Sequence, residues 1–552
     1  MKRLSVWLIR LFATLLLAGG VVPIPASAQD KPTPPALVAL FQQWRAFAEP
    51  ERQKDVPDFS AAALARKASG LTAIKARLAG LDRTAWTPRD MADARLIEAE
   101  MNGLDFDLRI RQPWARDPNY YATVFAEESD VPAHEGATAD AIDLFKYRYP
   151  LSPKDAADLA QRLRGVPVLL AAAHGYLANS NAADLWRYGS RVFVEQADAL
   201  DALLAGTLKM RTFDGSQGAS LAGAGEPVRS AAIAARDASR AFAAWIDAEA
   251  PHKTGPSGVG KQNYNWYMAN VQLVPYDWDA QATLLQRELE RAWTALAMEE
   301  WRNRDLPPLK SIEDPAAYRA FAAKKMDAFT DFIIATGFVP DKPWYRAAMK
   351  AQALDYTAPN ARNFFLNVTA LDPWPLYSHD IHWTELARTR FEPNASPIRR
   401  VAPLFNIYAA RSEGFATAFE ELVMQAGLYK DEPRGRELVW IMLANRAARG
   451  LASLHVQANE MTLAEAGQFH SRWTPRGWAD ANSALVGFEQ LLYLRQPGYG
   501  TSYIVGKQLL DRVIAHRAHA AAARGEPADI AHIFAQVADD GIVPWPLMAG
   551  EE

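Results

Sequence analysis

The 552-residue chain contains no cysteine. That absence excludes a disulfide framework, a thiolate metal site, a cysteine nucleophile and a lipid-modified cysteine together. An excess of positive charge is also missing, since 60 Lys and Arg face 64 Asp and Glu for a formal charge of −4. No global positive field exists to hold nucleic acid or an anionic membrane, so neither is expected as a partner. Beyond the N-terminus, no charge-free apolar run reaches the ~20 residues that a membrane span needs. What is present suits a globular chain: 49% hydrophobic and 22% charged residues supply a substantial core. At about 100 to 200 residues per domain, two or three packed units are expected.

The N-terminus differs from the rest. Lys2, Arg3 and Arg10 flank and interrupt the apolar stretch Leu11 to Val22, and Ala26-Ser27-Ala28 precede Gln29. A basic start, a short apolar run and small residues at a cleavage point read as a signal peptide, residues 1–28, cut after Ala28. The mature chain would carry a charge of about −7, keep no stable membrane anchor, and be periplasmic or secreted.

From Pro34 to about Ala250 apolar residues recur at helical spacing, as in Leu71, Ile74, Leu78 and Leu81. Ser152-Pro153-Lys154-Asp155 predicts a capped helix start. The Gly- and Ser-rich stretch Thr207 to Glu226 ends one helical segment, and a boundary near Gly255 separates an N-terminal helical region, 29–255, from a C-terminal one, 256–552. Further helices are predicted over Trp278 to Arg302, Asp314 to Thr336 and Arg411 to Leu428. Residues 363–369, Asn-Phe-Phe-Leu-Asn-Val-Thr, suit a short strand by aromatic and β-branched content. The fold class is therefore all-α with one small strand element.

Gly255-Pro256-Ser257-Gly258-Val259-Gly260-Lys261 has phosphate-loop spacing, but Gln262 stands where Ser or Thr should bind Mg²⁺ and a helix precedes it, so a glycine-rich turn is expected. No Gly-x-Ser-x-Gly elbow occurs. His134-Glu135 lacks a second His at 138, which is Thr, and reads as an exposed loop. His174, His252, His516, His519 and His532 receive no role.

The densest chemistry is His379-Asp380-Ile381-His382-Trp383-Thr384-Glu385, with Glu413 and Glu420 further on. Imidazoles and carboxylates are what Zn²⁺ takes where no thiolate exists. On a helix, residues 379, 382 and 385 would share one face, and so would Glu413 and Glu420. The bland alternative is a pair of capped, salt-bridged helices around a polar core.

Residues 363 to about 545 resemble a bacterial family catalogued as domain of unknown function 885, whose members look like helical gluzincin metallopeptidases. The family pattern runs from a strand through His-Glu-x-x-Pro-Gly-His, Glu-Gly-Trp-Ala and Arg-Ala-x-Arg to Pro-Gly-Gln-Ala-x-Ser-Tyr-x-x-Gly. Asn363 to Val368, Glu413-Gly414-Phe415-Ala416, Arg446-Ala447-Ala448-Arg449 and Pro497 to Gly506 are similar to four of these in order. The His-Glu motif is altered: an ungapped register puts Leu376 and Tyr377 at the first His and the Glu, whereas a shortened site keeps His379, His382 and Glu413 as ligands. A later family His falls on Gln457, and the Gln of the last motif on Tyr499.

The resemblance implies an exported zinc peptidase acting on a peptide or small-molecule substrate. His379, His382 and Glu413 would hold the metal, Asp380 or Glu385 would act as base, and Tyr503 or Arg449 would stabilise an oxyanion. The strand near Phe364 would pair with an extended peptide. The alternative is an inactive relative that binds a peptide or protein in the same helical cleft.

Overall fold

The computed structural model describes residues 32–548, so the expected signal peptide lies outside the described residues. The fold is predominantly helical. Ser152 caps Pro153–Tyr176 by accepting the Asp155 N–H, as expected, and Trp278–Arg302 starts at the Asp277 cap. The other two predicted helices run Pro315–Ala335 and Ala409–Gln425. No helix among the described residues is long and apolar enough to cross a membrane.

Two large apolar cores organise the chain. One gathers Pro153–Tyr176, Arg191–Ala205 and Glu226–Glu249 around Leu163, Leu170, Phe193, Leu200, Phe242 and Ile246. The larger core joins Leu37, Leu40, Trp44 and Ile97, from the first helices of the structure, to Phe419, Leu454, Leu510 and Trp545 near the other end. The chain therefore leaves this core, builds the first, and returns.

Four helices frame the C-terminal half: Trp278–Arg302, Ala409–Gln425 (the glutamate helix), Gly435–Gln457 (the arginine helix) and Tyr499–Ala523 (the tyrosine helix). The glutamate and tyrosine helices approach backbone to backbone. Gly414 faces Gly506, and a Cβ on either would fall inside the other helix's main chain. Only the missing side chains permit this crossing, and it fixes Glu413 beside Tyr499 and Tyr503.

One expectation fails locally. The predicted strand is a helix, Phe364–Leu371. Asn363 accepts the Leu366 N–H, and Phe364 and Val368, four apart, are both buried on one face, so a cap and a helical apolar stripe override β-propensity. The only hairpin of appreciable length among the described residues lies instead in the Gly- and Ser-rich stretch: Leu208–Thr212 pairs antiparallel with Gly215–Ala219 across Phe213 and Asp214, with Gly215 at φ +96°. The segment around Gly258 is a turn packed on the Val456 and Gln457 backbone, not a phosphate loop, and Gly260 leads into Lys261–Asn270.

Candidate metal centre

The histidines do not share one helix. Trp374–His379 ends and His382–Phe391 begins around a break at Asp380-Ile381, so His379 closes one helix and His382 opens the next. The break turns the two rings edge to face, 5.0 Å between centroids at 87°. Glu413, in the first half of the glutamate helix, meets both: its Oε2 is 3.4 Å from His379 Nε2 and 3.5 Å from His382 Nε2. Ligand atoms of all three residues lie within 4.8 Å of one another.

Zn²⁺ bonds of 2.0 to 2.1 Å set tetrahedral ligand edges of about 3.4 Å, which both His to Glu distances match. His382 Nε2 is also buried without a hydrogen-bond partner, as a nitrogen reserved for a ligand would be. The three donors therefore fit a zinc-type cation.

The surroundings orient these donors. Glu420 Oε1 lies 2.9 Å from His379 Nδ1 and 2.6 Å from Arg446 Nη2 as charge contacts without hydrogen-bond geometry, on the side of the ring away from Glu413. Burial opposes charge on His382, but the Glu413 carboxylate outweighs it and lifts the imidazole to about 9. Burial likewise pushes Glu413 up, while His379 and His382 hold it well below the usual carboxylate range.

A residue from the N-terminal half reaches the site. Tyr499 Oη lies 2.7 Å from Glu413 Oε1 and 2.6 Å from Glu135 Oε1. A phenol carries one proton and can donate to one carboxylate only. The Tyr499 hydroxyl is within donating distance of both carboxylates, so Glu135 and Glu413 share its one proton, while burial and the Glu413 charge push Glu135 up to about 7. His134-Glu135 is thus no exposed loop: His134 Nε2 is 2.8 Å from Asp143 and Glu135 is held against the tyrosine helix.

The other expected residues divide. Asp380 is 7% exposed and burial pushes it up to about 6, against the opposing Arg211 charge. Glu385 turns away to Arg411, 2.5 Å from its Nη2, and does not join the cluster. The Tyr503 ring lies 6.1 Å from the His379 ring at 19°. Arg449 is ion-paired to Glu489, with its guanidinium 4.3 Å over the Tyr503 ring. Gln457, at the later His position, donates to the Tyr493 and Leu494 carbonyls and stays outside the cluster.

Glu135 also lines a cavity of about 1020 Å³, with Asp130, Lys209, Arg211, Phe488 and Arg495 among its walls. Sequence reasoning missed both Glu135 and Tyr499. The first lacked a helical zinc motif, and the second stood where the family pattern has Gln; only the fold brings them together.

A helical protein with a buried two-histidine, one-glutamate cluster is the class these features define. The model of the family described as bacterial protein of unknown function (DUF885) matches residues 44–324, just over half of the chain, and the chain belongs to that family. The match covers Glu135 and not the 363–506 motifs or the three candidate ligands. No curated relative matches. A solved structure from Shewanella oneidensis, provisionally named a lipoprotein of unknown function, superposes with a TM-score of 0.63 at 13% identity over 93% of this chain and 98% of its own. A provisionally named lipoprotein from Colwellia psychrerythraea gives 0.59 at 14% identity, over 93% and 97%. Both likenesses concern the fold.

Proposed function

We propose that this chain is an exported, metal-dependent hydrolase acting on peptides, with zinc held by His379, His382 and Glu413. The observation that carries the reading is the convergence of these three donors, two of them buried, within 4.8 Å, with both His to Glu separations at a tetrahedral edge length. Zinc bound there would supply Lewis-acid chemistry at neutral pH. The chain's own residues would do the rest. Glu413 orients through Tyr499, and Glu420 lies beside His379 as a counter-charge. Asp380, raised to about 6, and Glu135, raised to about 7, are the carboxyls able to exchange a proton near neutrality. Tyr503 borders the cluster as the oxyanion donor, and Arg449 positions its ring. The cavity reaching Glu135 is large enough for several residues of a peptide.

Export rests on the sequence of residues 1–28 and agrees with the lipoprotein descriptions of the two similar structures. Without cysteine this chain cannot itself carry a thioether-linked lipid.

A second reading, an inactive peptide-binding relative, is favoured by one observation: no glutamate follows His379, and Glu385 is engaged by Arg411. Metal content by mass spectrometry separates the two. About one zinc per chain, lost in His382→Ala, followed by cleavage of a peptide library, is the expected result. No zinc in either protein, even after zinc is added, would sink the hydrolase reading.

A further inference from the structure

Among the described residues only three tryptophans stand exposed, Trp293, Trp301 and Trp473, and they lie on one surface. Trp293 and Trp301 are about two turns apart on one face of the Trp278–Arg302 helix. The Trp293 indole donates to the Trp473 carbonyl at the end of the Leu463–Trp473 helix, which brings the third ring to the same place. Met298, one turn before Trp301, is 59% exposed, and Trp301 itself is 63% exposed. Single apolar side chains on a surface need no explanation, but an indole group of this size marks a docking face.

The charge around these rings is mainly positive. Over 298–310 and 472–476 the exposed cations are Arg302, Arg304, Lys310, Arg472 and Arg476. They face exposed Asp305 and half-buried Glu300, while Glu299 is buried against Arg436. Arg304 lies 4.5 Å over the Trp301 ring, and Arg476 pairs with Glu300, so the guanidinium groups frame the indoles. The whole chain carries −4, so this excess is local and runs against the average.

That sign decides between occupants. A second copy docked face to face would set the same cations against one another, which costs association energy. An anionic surface would be attracted. Outward-standing indoles suit the headgroup layer of a bilayer, where tryptophan concentrates, and arginine stems can run back along it to the phosphates.

We propose that this surface docks the chain on an anionic phospholipid bilayer, with Trp293, Met298 and Trp301 entering the headgroup layer and the surrounding arginines meeting phosphates. No helix among the described residues crosses a membrane, so the attachment is peripheral, reversible and weakened by salt. The proposal is independent of the candidate metal centre and of the hydrolase reading.

The test is sedimentation of the full mature chain with vesicles of phosphatidylcholine alone and with vesicles of equal parts phosphatidylcholine and phosphatidylglycerol. Saturable binding to the anionic vesicles, weakening as salt rises, is expected. Met298→Ser combined with Trp301→Ser alters two side chains that are mostly exposed, so the fold should tolerate it, and binding should fall about tenfold. Arg302→Gln with Arg304→Gln should weaken binding to the anionic vesicles as well. Val194→Ser, which removes an exposed apolar residue from the Arg191–Ala205 helix, should leave it within about twofold. Three results overturn the proposal: no binding by the wild-type chain, equal binding by the Met298 and Trp301 variant, or a vesicle-free dimer in ultracentrifugation that the same substitutions dissolve.

Discussion

Tyr499 is the residue on which two carboxylates from distant parts of the chain depend. Removing its hydroxyl leaves the three candidate ligands in place but strips Glu413 of an orienting donor. Loss of such outer partners costs about 10- to 100-fold in metal affinity. Tyr499→Phe should therefore lower zinc affinity by that order in a chelator competition, without lowering helical content. His470 makes a different prediction. It is fully buried, and burial with the Arg449 charge depresses its pKa to about 3. Its folded value lies below the ordinary 6.5, so folding is penalised once the unfolded imidazole takes up a proton: the contribution is intact above pH 6.5 and lost as pH falls toward 3. At pH 5 the loss should be about 2 kcal/mol, and His470→Gln should flatten the stability curve between pH 7 and 5 in denaturant titrations.

At the scale of elements, the glycine contact between the glutamate and tyrosine helices is the most exacting join. Gly506→Ala would drive a methyl into the Ala410 carbonyl, and neither helix can retreat without moving Glu413 or Tyr499. Overpacking of this kind costs about 1 to 3 kcal/mol or more, so a drop in thermal midpoint accompanied by lost zinc binding is expected, whereas Gly525→Ala, in an exposed turn, should retain zinc. How legible the elements were follows from the range of the forces that set them. Caps and periodicity are local, and Ser152 and the Trp278–Arg302 helix were readable from a few neighbours. The 363–369 segment was misread because its residue types favour a strand while Asn363 and the spacing of Phe364 and Val368 favour a helix, and burial decided between them. The Leu208–Ala219 hairpin hid in a Gly- and Ser-rich stretch. His379, His382 and Glu413 were legible by residue type, but their meeting depends on a helix break at Asp380 that no periodicity announces.

The whole molecule joins its halves through the site. Glu135 lies in the family-matched span, and the three candidate ligands lie beyond it. A metal that fixes Glu413 would fix Tyr499 and thereby the 124–135 segment along the large cavity. Chelation should then raise hydrogen exchange in residues 124–142 while leaving the Pro153–Tyr176 helix unchanged, and Tyr499→Phe should abolish that difference.

The larger core has a consequence for the order of events in the life of the chain. Leu37, Leu40, Trp44 and Ile97, made early, share this core with Phe419, Leu510 and Trp545, made later, and the 88–106 helix packs against the 545–547 turn. The 88–106 helix cannot gain its contact with the 545–547 turn until nearly the whole polypeptide has emerged. Completion of this core therefore waits on residues close to Trp545, whereas the core of the 153–249 helices can close on its own earlier.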